Sequence, residues 1–243
     1  MSVDEEYLQT FLRTFSHDAS SALRAASGFS KLLAEQYGDN LDEKALHWLS
    51  LIGDESEKAQ KQLMSLSQYS RLYHVEDLAQ HCDFAVICEA AKKEAAVQQA
   101  LTQFPSVAFE ITKLPAIMGN AKAWQQYFTE IFVNAIRYTS PNHAPVLCRV
   151  FIEKSDSDVL LVVEDNGVGL TDVDISKAMA PYRSLYVDDQ TDEYILSRQG
   201  MGLLIAKRIV EVHDGVFSVS KRLDGMSGLR VAASLPMSAL CSV

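Results

Sequence analysis

An apolar run that ends in an acidic, glycine-containing turn is the first candidate for chemistry. The run Val159 to Val163 leads into Asp165-Asn166-Gly167-Val168-Gly169. Two glycines one residue apart allow positive φ and a close approach of the backbone to a flat ligand. A carboxylate accepts a hydrogen bond from the exocyclic amine of adenine, whereas guanine presents a carbonyl there. The turn therefore indicates an adenine site, and a plain Asp-Asn-Gly turn after an edge strand is the alternative.

A second group lies on the helical pattern from Ala121 to Tyr138. Glu130 and Asn134 are four residues apart, which places a carboxylate and an amide one turn apart on the same face. Mg²⁺ takes oxygen ligands and keeps phosphate and water in its shell, so Asn134 beside a carboxylate is a sufficient protein contribution. Arg137 and Tyr138 add a phosphate partner and a ring that can pack on a base. A solvated helix face is the alternative.

The cluster Gly200-Met201-Gly202-Leu203 precedes another apolar helical pattern. Exposed amides and the helix dipole at such an N-terminus favour anions, which predicts binding of a polyphosphate. Ile205 stands where a Rossmann fingerprint needs another glycine, and the sequence contains no Walker motif. At the far end of this helix we interpret His213 as a residue that can carry positive charge, with Gly215 as the helix cap.

His17 is the candidate nucleophile. Its neighbours in the apolar stripe, Phe15 and Ala19, are two positions away, which is about 200° around a helix, so His17 points to solvent. Asp18 can hold one ring nitrogen and leave the other free to attack. An ordinary surface histidine is the alternative.

Composition narrows the class of protein. The 243 residues are 48% hydrophobic and carry a formal net charge of −10, which disfavours nucleic acid as the main partner. The four cysteines show no C-x-x-C spacing and indicate reduced cytosolic thiols; His74, His81 and Cys82 are interpreted as linker residues, not metal ligands. No apolar stretch approaches the roughly 20 residues of a membrane span, and the acidic N-terminus is unlike a signal peptide. We therefore expect a cytoplasmic protein.

The first part of the chain is predicted to be a helical hairpin. Apolar residues recur at steps of three and four from Tyr7 onward, Tyr37-Gly38-Asp39-Asn40 interrupts them, and a second stripe runs from Ala45 to Ser70. The first stripe consists of Leu8, Phe11, Phe15, Ala19, Ala22, Ala26, Phe29 and Leu33. A lone αα-hairpin leaves much of this surface wet, so two copies are expected to form a dimeric four-helix bundle.

Short strand-like runs alternate with helical ones beyond Tyr73, which predicts an α/β sandwich with helices over one face of a mixed sheet, and an α+β chain overall. The predicted strands are 106–111, 146–153, 159–163, 216–222 and 229–235, and the predicted helices are 86–103, 121–138 and 201–213. The segment 170–199 is a candidate lid. The predicted boundaries are 1–73 for the hairpin, 74–81 for a linker, 82–238 for the second domain and 239–243 for a tail.

Together these pieces resemble the catalytic core of a two-component sensor histidine kinase, over about residues 7 to 237. Phe15-Ser16-His17-Asp18 with Leu23-Arg24 resembles the phosphoacceptor box. The segment from Glu130 to Thr139 is similar to the asparagine box that binds Mg²⁺. Asp165 to Gly169 resembles the adenine box, and Gly200 to Leu203, leading into Ala206 to Val210, resembles the phosphate loop.

The resemblance implies a Bergerat ATP-binding fold and an autokinase that phosphorylates His17 with ATP and Mg²⁺ and passes the phosphoryl group to an aspartate of a response-regulator receiver domain. Asp18 and Glu130 would assist catalysis. The implied ATP-binding residues are Asn134, Arg137, Tyr138, Asp165, Gly167, Gly169, Arg198, Gly200, Gly202 and Leu203, with Asn134 also as the metal ligand. Only sixteen residues precede His17, so sensing is expected from a separate protein or a missing domain.

Four positions and one segment depart from the family pattern. Ala22 replaces a frequent proline, and Ser21 stands where Thr or Asn often supports phosphatase activity. Glu130 stands where many members have Asn, as in gyrase-type ATPases, and Arg198 replaces a glycine of the phosphate loop. Ala180-Pro181-Tyr182-Arg183 only loosely resembles the phenylalanine box. The alternatives to the autokinase are a histidine phosphotransferase relay that does not use ATP and an ATP-hydrolysing switch of the gyrase clan.

Overall fold

The computed structural model describes residues 3–72, 75–103, 107–138, 146–154, 157–179 and 200–241. The chain divides after Arg71 into two compact units. We call the described residues up to 71 the hairpin unit and those from 72 onward the sheet unit. Within the described residues, the helices contain no apolar stretch long enough to cross a membrane.

The hairpin unit consists of two long helices, α1 (Val3–Tyr37) and α2 (Glu43–Arg71), joined by a 3₁₀ turn at Gly38–Asn40. Asp42 caps the N-terminus of α2, because its carboxylate accepts a hydrogen bond from the Ala45 N–H at 2.7 Å. The two helices pack along one another. The predicted αα-hairpin and its turn are confirmed.

The contact between α1 and α2 buries small polar side chains, not the apolar stripe. Among the side chains of α1 and α2 that the structure describes, the buried residues are Ser16, Ser20, Ser27, Ser30, Gly53, Ser56 and Ser70. Small residues let the helices approach closely: a Cβ on Gly53 would meet Ser30 Oγ at 3.3 Å. Phe15 and Phe29, by contrast, are 50% and 65% exposed. Successive residues differ by about 100° on a helix, so the serine face is the neighbour of the apolar stripe.

Within the described residues, the sheet unit consists of a mixed five-stranded sheet, a two-stranded sheet, five α-helices and a 3₁₀ helix at Met237–Ala239. Its helices are α3 (Phe84–Lys92), α4 (Ala95–Gln103), α5 (Ala121–Arg137), α6 (Asp172–Ala178) and α7 (Gly202–Val212). Its strands are β1 (Gln80–Asp83), β2 (Val107–Ile111), β3 (Ala116–Gly119), β4 (Val146–Lys154), β5 (Asp158–Asp165), β6 (Val216–Lys221) and β7 (Leu229–Pro236). The large sheet has the order β2-β4-β5-β7-β6, with β2 and β4 parallel and the other pairs antiparallel. The predicted mixed sheet is confirmed.

An aromatic cluster on α5 forms much of the core. Trp124, Tyr127, Phe128 and Phe132 are fully buried, and Phe84 at the start of α3 joins them. Phe84 lies edge-on to Trp124 and Phe128, with ring centroids 5.0 and 5.6 Å apart. One face of α5 is therefore fixed in the core, and its other face carries the half-buried candidate residues.

The structure corrects several element boundaries. The helix predicted over 86–103 is two helices, because the chain turns at Lys93 and Glu94. The four-residue strands β1 and β3 were too short for a periodic signal, and β1 takes Gln80 and His81 out of the predicted linker. In the predicted tail, Leu240 forms a β-bridge with Ile117. Helix α6 occupies the first part of the candidate lid; its remainder, with Ala180 to Arg183, lies outside the described residues.

His213 is a buried neutral residue, which overturns its interpretation as a cation. Its Nδ1 lies 2.6 Å from the Ile209 carbonyl oxygen, which can only accept, and its Nε2 accepts the Asn120 N–H at 2.9 Å. Burial lowers the pKa of His213, because it penalises the charged form. The positive φ at the end of α7 belongs to Asp214. Gly215 caps the helix as predicted, because its N–H donates to the Val210 carbonyl at 3.0 Å, and a Cβ there would also meet Val210 at 2.7 Å.

Candidate functional site

The exposed side of α5 and the first residue of α7 meet in the sheet unit. Glu130 and Asn134 are half-buried, one turn apart on α5. A Cβ on Gly202 would lie 2.9 Å from Glu130 Oε2 and 3.3 Å from Asn134 Nδ2, so the glycine lets α7 begin directly against both side chains. The structure therefore brings a carboxylate, an amide and a helix N-terminus together. Oxygen donors next to backbone N–H groups suit a hard cation that carries phosphate.

Other predicted residues lie on α5, on α7 or just before α7. Gly200 has a φ of +63°, which turns the chain into α7. Leu203 is half-buried in the first turn of α7. Arg137 is half-buried on α5, and its Nε and Nη1 are shielded from solvent. Arg198 lies outside the described residues.

The Asp165 to Gly169 turn is tied to the end of α5. Val168 N donates to the Tyr138 carbonyl at 2.9 Å, and a Cβ on Gly167 would lie 2.3 Å from the same oxygen. The close approach of the Tyr138 main chain therefore requires glycine at position 167. Gly169 adopts the positive φ, +70°. The Asn166 amide oxygen accepts from Leu147 N at 2.7 Å, which anchors the turn to β4.

The Asp165 carboxylate is held by two main-chain donors. Its Oδ1 accepts from Gly167 N at 2.8 Å and from Leu229 N at 3.2 Å. Within the described residues its Oδ2 makes no hydrogen bond, so this oxygen is available to a ligand. Burial raises the pKa of Asp165 to about 6, against the opposing effect of the two N–H groups and of Arg222.

Residues 222–228, which connect β6 and β7, hold the Asp165 to Gly169 turn in place. We call these residues the β6–β7 turn, and their role was not predicted from the sequence. Arg222 Nη1 donates to the Asp165 carbonyl at 3.1 Å, and Ser227 Oγ donates to the Gly167 carbonyl at 2.6 Å. Gly228, with a φ of +126°, packs where a Cβ would collide with the Asp165 carbonyl. Two glycines in Asp224-Gly225-Met226-Ser227-Gly228 mark a turn, but no spacing shows that it pairs with a residue about 60 positions earlier.

His17 lies on α1 of the hairpin unit, where 78% of its side chain is exposed. Its Nδ1 is 3.0 Å from Asp18 Oδ1. In a neutral ring, donation from Nδ1 to this carboxylate leaves the lone pair on Nε2. Ser21, one turn later, is also exposed.

Comparison with known proteins supports a kinase architecture. Residues 119–239 match the family described as "Histidine kinase-, DNA gyrase B-, and HSP90-like ATPase". The "Non-motile and phage-resistance protein" of Caulobacter vibrioides is 25% identical over 241 residues, which cover 93% of this chain and 27% of that protein. The "Cell-division control histidine kinase PdhS" of Brucella anthropi is 21% identical over 86% of this chain and 20% of its own length.

A solved structure shares the fold. Full-length ShkA in complex with AMPPNP aligns with a TM-score of 0.64 at 16% identity, over 96% of this chain and 47% of that chain. The chain spans about a quarter of the length of the curated relatives that it matches.

Proposed function

This chain is the catalytic core of a sensor histidine kinase, and from that premise we propose that it transfers the γ-phosphoryl group of ATP to His17 and then to a response regulator. The observation that carries the proposal is the meeting of three sequence segments in the sheet unit. Glu130 and Asn134 lie against Gly202, and the Asp165 turn is bonded to Tyr138. Each segment supplies one part of an ATP site.

In the proposed complex, Asp165 Oδ2 accepts a hydrogen bond from the exocyclic amine of adenine, because Oδ1 already accepts from two backbone N–H groups. The N-terminus of α7 receives the phosphates, where the helix dipole favours negative charge. Asn134, with Glu130 beside it, would hold Mg²⁺, which neutralises phosphate charge when bound. The oxygen-rich donor set of these two side chains fits that ion.

At the acceptor, Nε2 of His17 attacks the γ-phosphorus. The bond from that phosphorus to the β–γ bridging oxygen breaks, and ADP leaves with the electron pair. Asp18 holds the Nδ1 hydrogen and stabilises the ring as it gains positive charge. The phosphohistidine then donates its phosphoryl group to an aspartate of a receiver domain.

The decisive experiment incubates the chain with radioactive ATP and Mg²⁺ and maps the labelled residue. We expect acid-labile label on His17 and none in His17→Gln, while that variant still binds an ATP analogue. His47→Gln is the matched control, because His47 is also exposed on a helix of the hairpin unit. Label that persists in His17→Gln would contradict the proposal, and a wild-type chain that binds no ATP would favour the relay alternative.

One observation favours ATP hydrolysis as a second activity. Glu130 Oε2 lies at the first residue of α7, where a carboxylate can orient an attacking water. Steady phosphate release by His17→Gln that disappears in the Glu130→Gln double variant would support the ATP-hydrolysing switch. No release above background would leave Glu130 with the kinase role alone.

We also propose that the chain dimerises through the hairpin unit. The side chains left exposed on α1 and α2 include Phe11, Phe15, Phe29, Leu33 and Ile52. A four-helix bundle of two hairpins would bury such a surface. Sedimentation over a range of concentrations tests this: a monomer at micromolar concentration would contradict it.

The proposed setting follows from the chemistry. ATP and receiver domains meet in the cytoplasm, which is where we propose the chain acts. Because the chain spans about a quarter of its curated relatives, we propose that the signal comes from a sensor domain or protein outside it. Incubation of the phosphorylated chain with a panel of purified receiver domains would identify the partner by the fastest loss of label from His17.

A further inference from the structure

The β6–β7 turn carries a buried cation beside the residue proposed to recognise adenine. Only 2% of the Arg222 side chain is exposed. Its Nη1 donates to the Asp165 carbonyl at 3.1 Å, while its Nε, at 3.1 Å, and its Nη2 both donate to the Asp224 carboxylate. A buried guanidinium without such partners would be costly, so all three bonds fix its position.

Asp224 links this cation to the shape of the turn. Its carboxylate is 43% exposed and accepts from the Met226 N–H at 3.1 Å as well as from Arg222. The planar fork of arginine gives the two-point pair a defined direction. The turn thus holds Arg222 from one side, and Arg222 holds the Asp165 main chain from the other.

These contacts bear on the Asp165 carboxylate in two ways. The Arg222 bond fixes the Asp165 carbonyl, and the same turn leads to Leu229, whose N–H donates to Asp165 Oδ1. The positive charge of Arg222 also favours the ionised carboxylate, against the effect of burial. An ionised carboxylate accepts a hydrogen bond from an exocyclic amine more strongly than a protonated carboxyl group does, and a fixed direction makes that bond selective.

Resting on the proposed function, we propose that Arg222 is a positioning residue for adenine recognition, held in place by Asp224 and acting through the main chain and charge of Asp165. If Arg222 had only a structural role, its substitution would lower the affinity for every nucleotide equally. A positioning role changes the preference for adenine over a base with a carbonyl at the same place.

The experiment compares ATP with ITP, which carries that carbonyl, in the full chain. For Arg222→Gln we expect the affinity for ATP to fall about tenfold. The ratio of the affinity for ATP to the affinity for ITP, called here the ATP-to-ITP ratio, should fall by a similar factor. The affinity for inorganic tripolyphosphate should change less than about twofold. Arg222→Lys keeps the charge without the fork, so it should preserve the Asp165 titration but not the ratio. Lys221→Gln is the matched control. It removes one positive charge at the neighbouring position, where Lys221 forms an exposed ion pair with Asp172.

A second readout needs no nucleotide. NMR titration of the Asp165 carboxyl should show its pKa raised further in Arg222→Gln and unchanged in Lys221→Gln. If Arg222→Gln does not fold, Asp224→Asn, altered at a half-exposed carboxylate, should show a smaller loss of the ATP-to-ITP ratio. An unchanged ratio in a folded variant overturns this inference and leaves the proposed function standing. A wild-type chain that binds no ATP overturns both.

Discussion

The two units of this protein bury opposite kinds of side chain. The sheet unit closes around Trp124, Phe128 and their aromatic neighbours, all fully buried. The hairpin unit buries serines between its helices and leaves phenylalanines such as Phe15 and Phe29 exposed. The sheet unit thus contains its own core, whereas the hairpin unit leaves large apolar side chains exposed. In the proposed kinase, ATP would bind to the unit that has its own aromatic core, and the proposed phosphoacceptor His17 would lie on the unit whose apolar stripe is exposed.

We expect the largest effect from a substitution in the aromatic core. The experiment tests whether that core stabilises the sheet unit without a contribution from the hairpin unit. Phe128→Ala should lower the free energy of unfolding of that unit by about 3–5 kcal/mol, because it removes a fully buried ring. The chain has two tryptophans, one in each unit, so a Trp48→Phe background leaves Trp124 as the reporter during denaturant unfolding. Phe29→Ala in the same background should leave that transition in place. An equal shift of the unfolding transition in both variants would show that the two units do not have separate cores.

The next prediction concerns the pH dependence of stability, which we expect to come from a buried carboxyl group of the sheet unit. Burial raises the pKa of Asp165 from 3.8 to about 6, so the folded state keeps its proton where the unfolded state has lost it. Its contribution to stability is full below about pH 4 and is lost as pH rises to about 6. Asp165→Asn removes this loss, so the variant should gain stability over wild type across that window, by at most about 3 kcal/mol.

His213 has the opposite sign. Burial lowers its pKa below 6.5, so the stability that it contributes as a neutral residue is lost as pH falls below that value. Because His213 also makes stability depend on pH, the difference between Asp165→Asn and wild type, followed at Trp124, is the measurement that isolates Asp165. A pH-independent difference would show that the carboxyl titrates normally.

The next prediction concerns the proposed dimerisation through the exposed apolar residues of the hairpin unit. Phe29→Ser should raise the dimer dissociation constant at least about tenfold, because each buried Phe contributes about 1.5–3 kcal/mol. Val216→Ser, at an equally exposed apolar residue of the sheet unit, is the control and should leave the dimer intact. Equal weakening by the two variants, measured by sedimentation, would mean that the hairpin is not the dimer surface.

The smallest effect is expected at a surface ion pair of the hairpin unit. Lys31 Nζ lies 2.7 Å from Glu57 Oε1, and the pair lowers the pKa of Glu57, yet both side chains are exposed. Solvent screening should make Glu57→Gln nearly neutral in thermal unfolding of the full chain. A large loss of stability would show that this pair is buried in the assembly.

Periodicity and local motifs determined much of this protein from sequence. The hairpin, its turn near Gly38 and the mixed sheet follow from apolar spacing and turn residues, because these signals lie within a few positions of one another. The same local logic placed Glu130 beside Asn134 and found the glycine clusters. The short strands β1 and β3 gave too little periodic signal, and His213 gave no sign of its burial.

Only the tertiary structure decided which distant groups meet. It placed the serine face of α1 inward, which an apolar pattern does not reveal, and put Gly202 against Glu130 and Asn134. It also brought Arg222 and Leu229 to Asp165 across the antiparallel pairing of β5 with β7. Sequence fixes the chemical type of each group, but hydrogen bonds and burial depend on distances in space, which the packing of the whole unit sets.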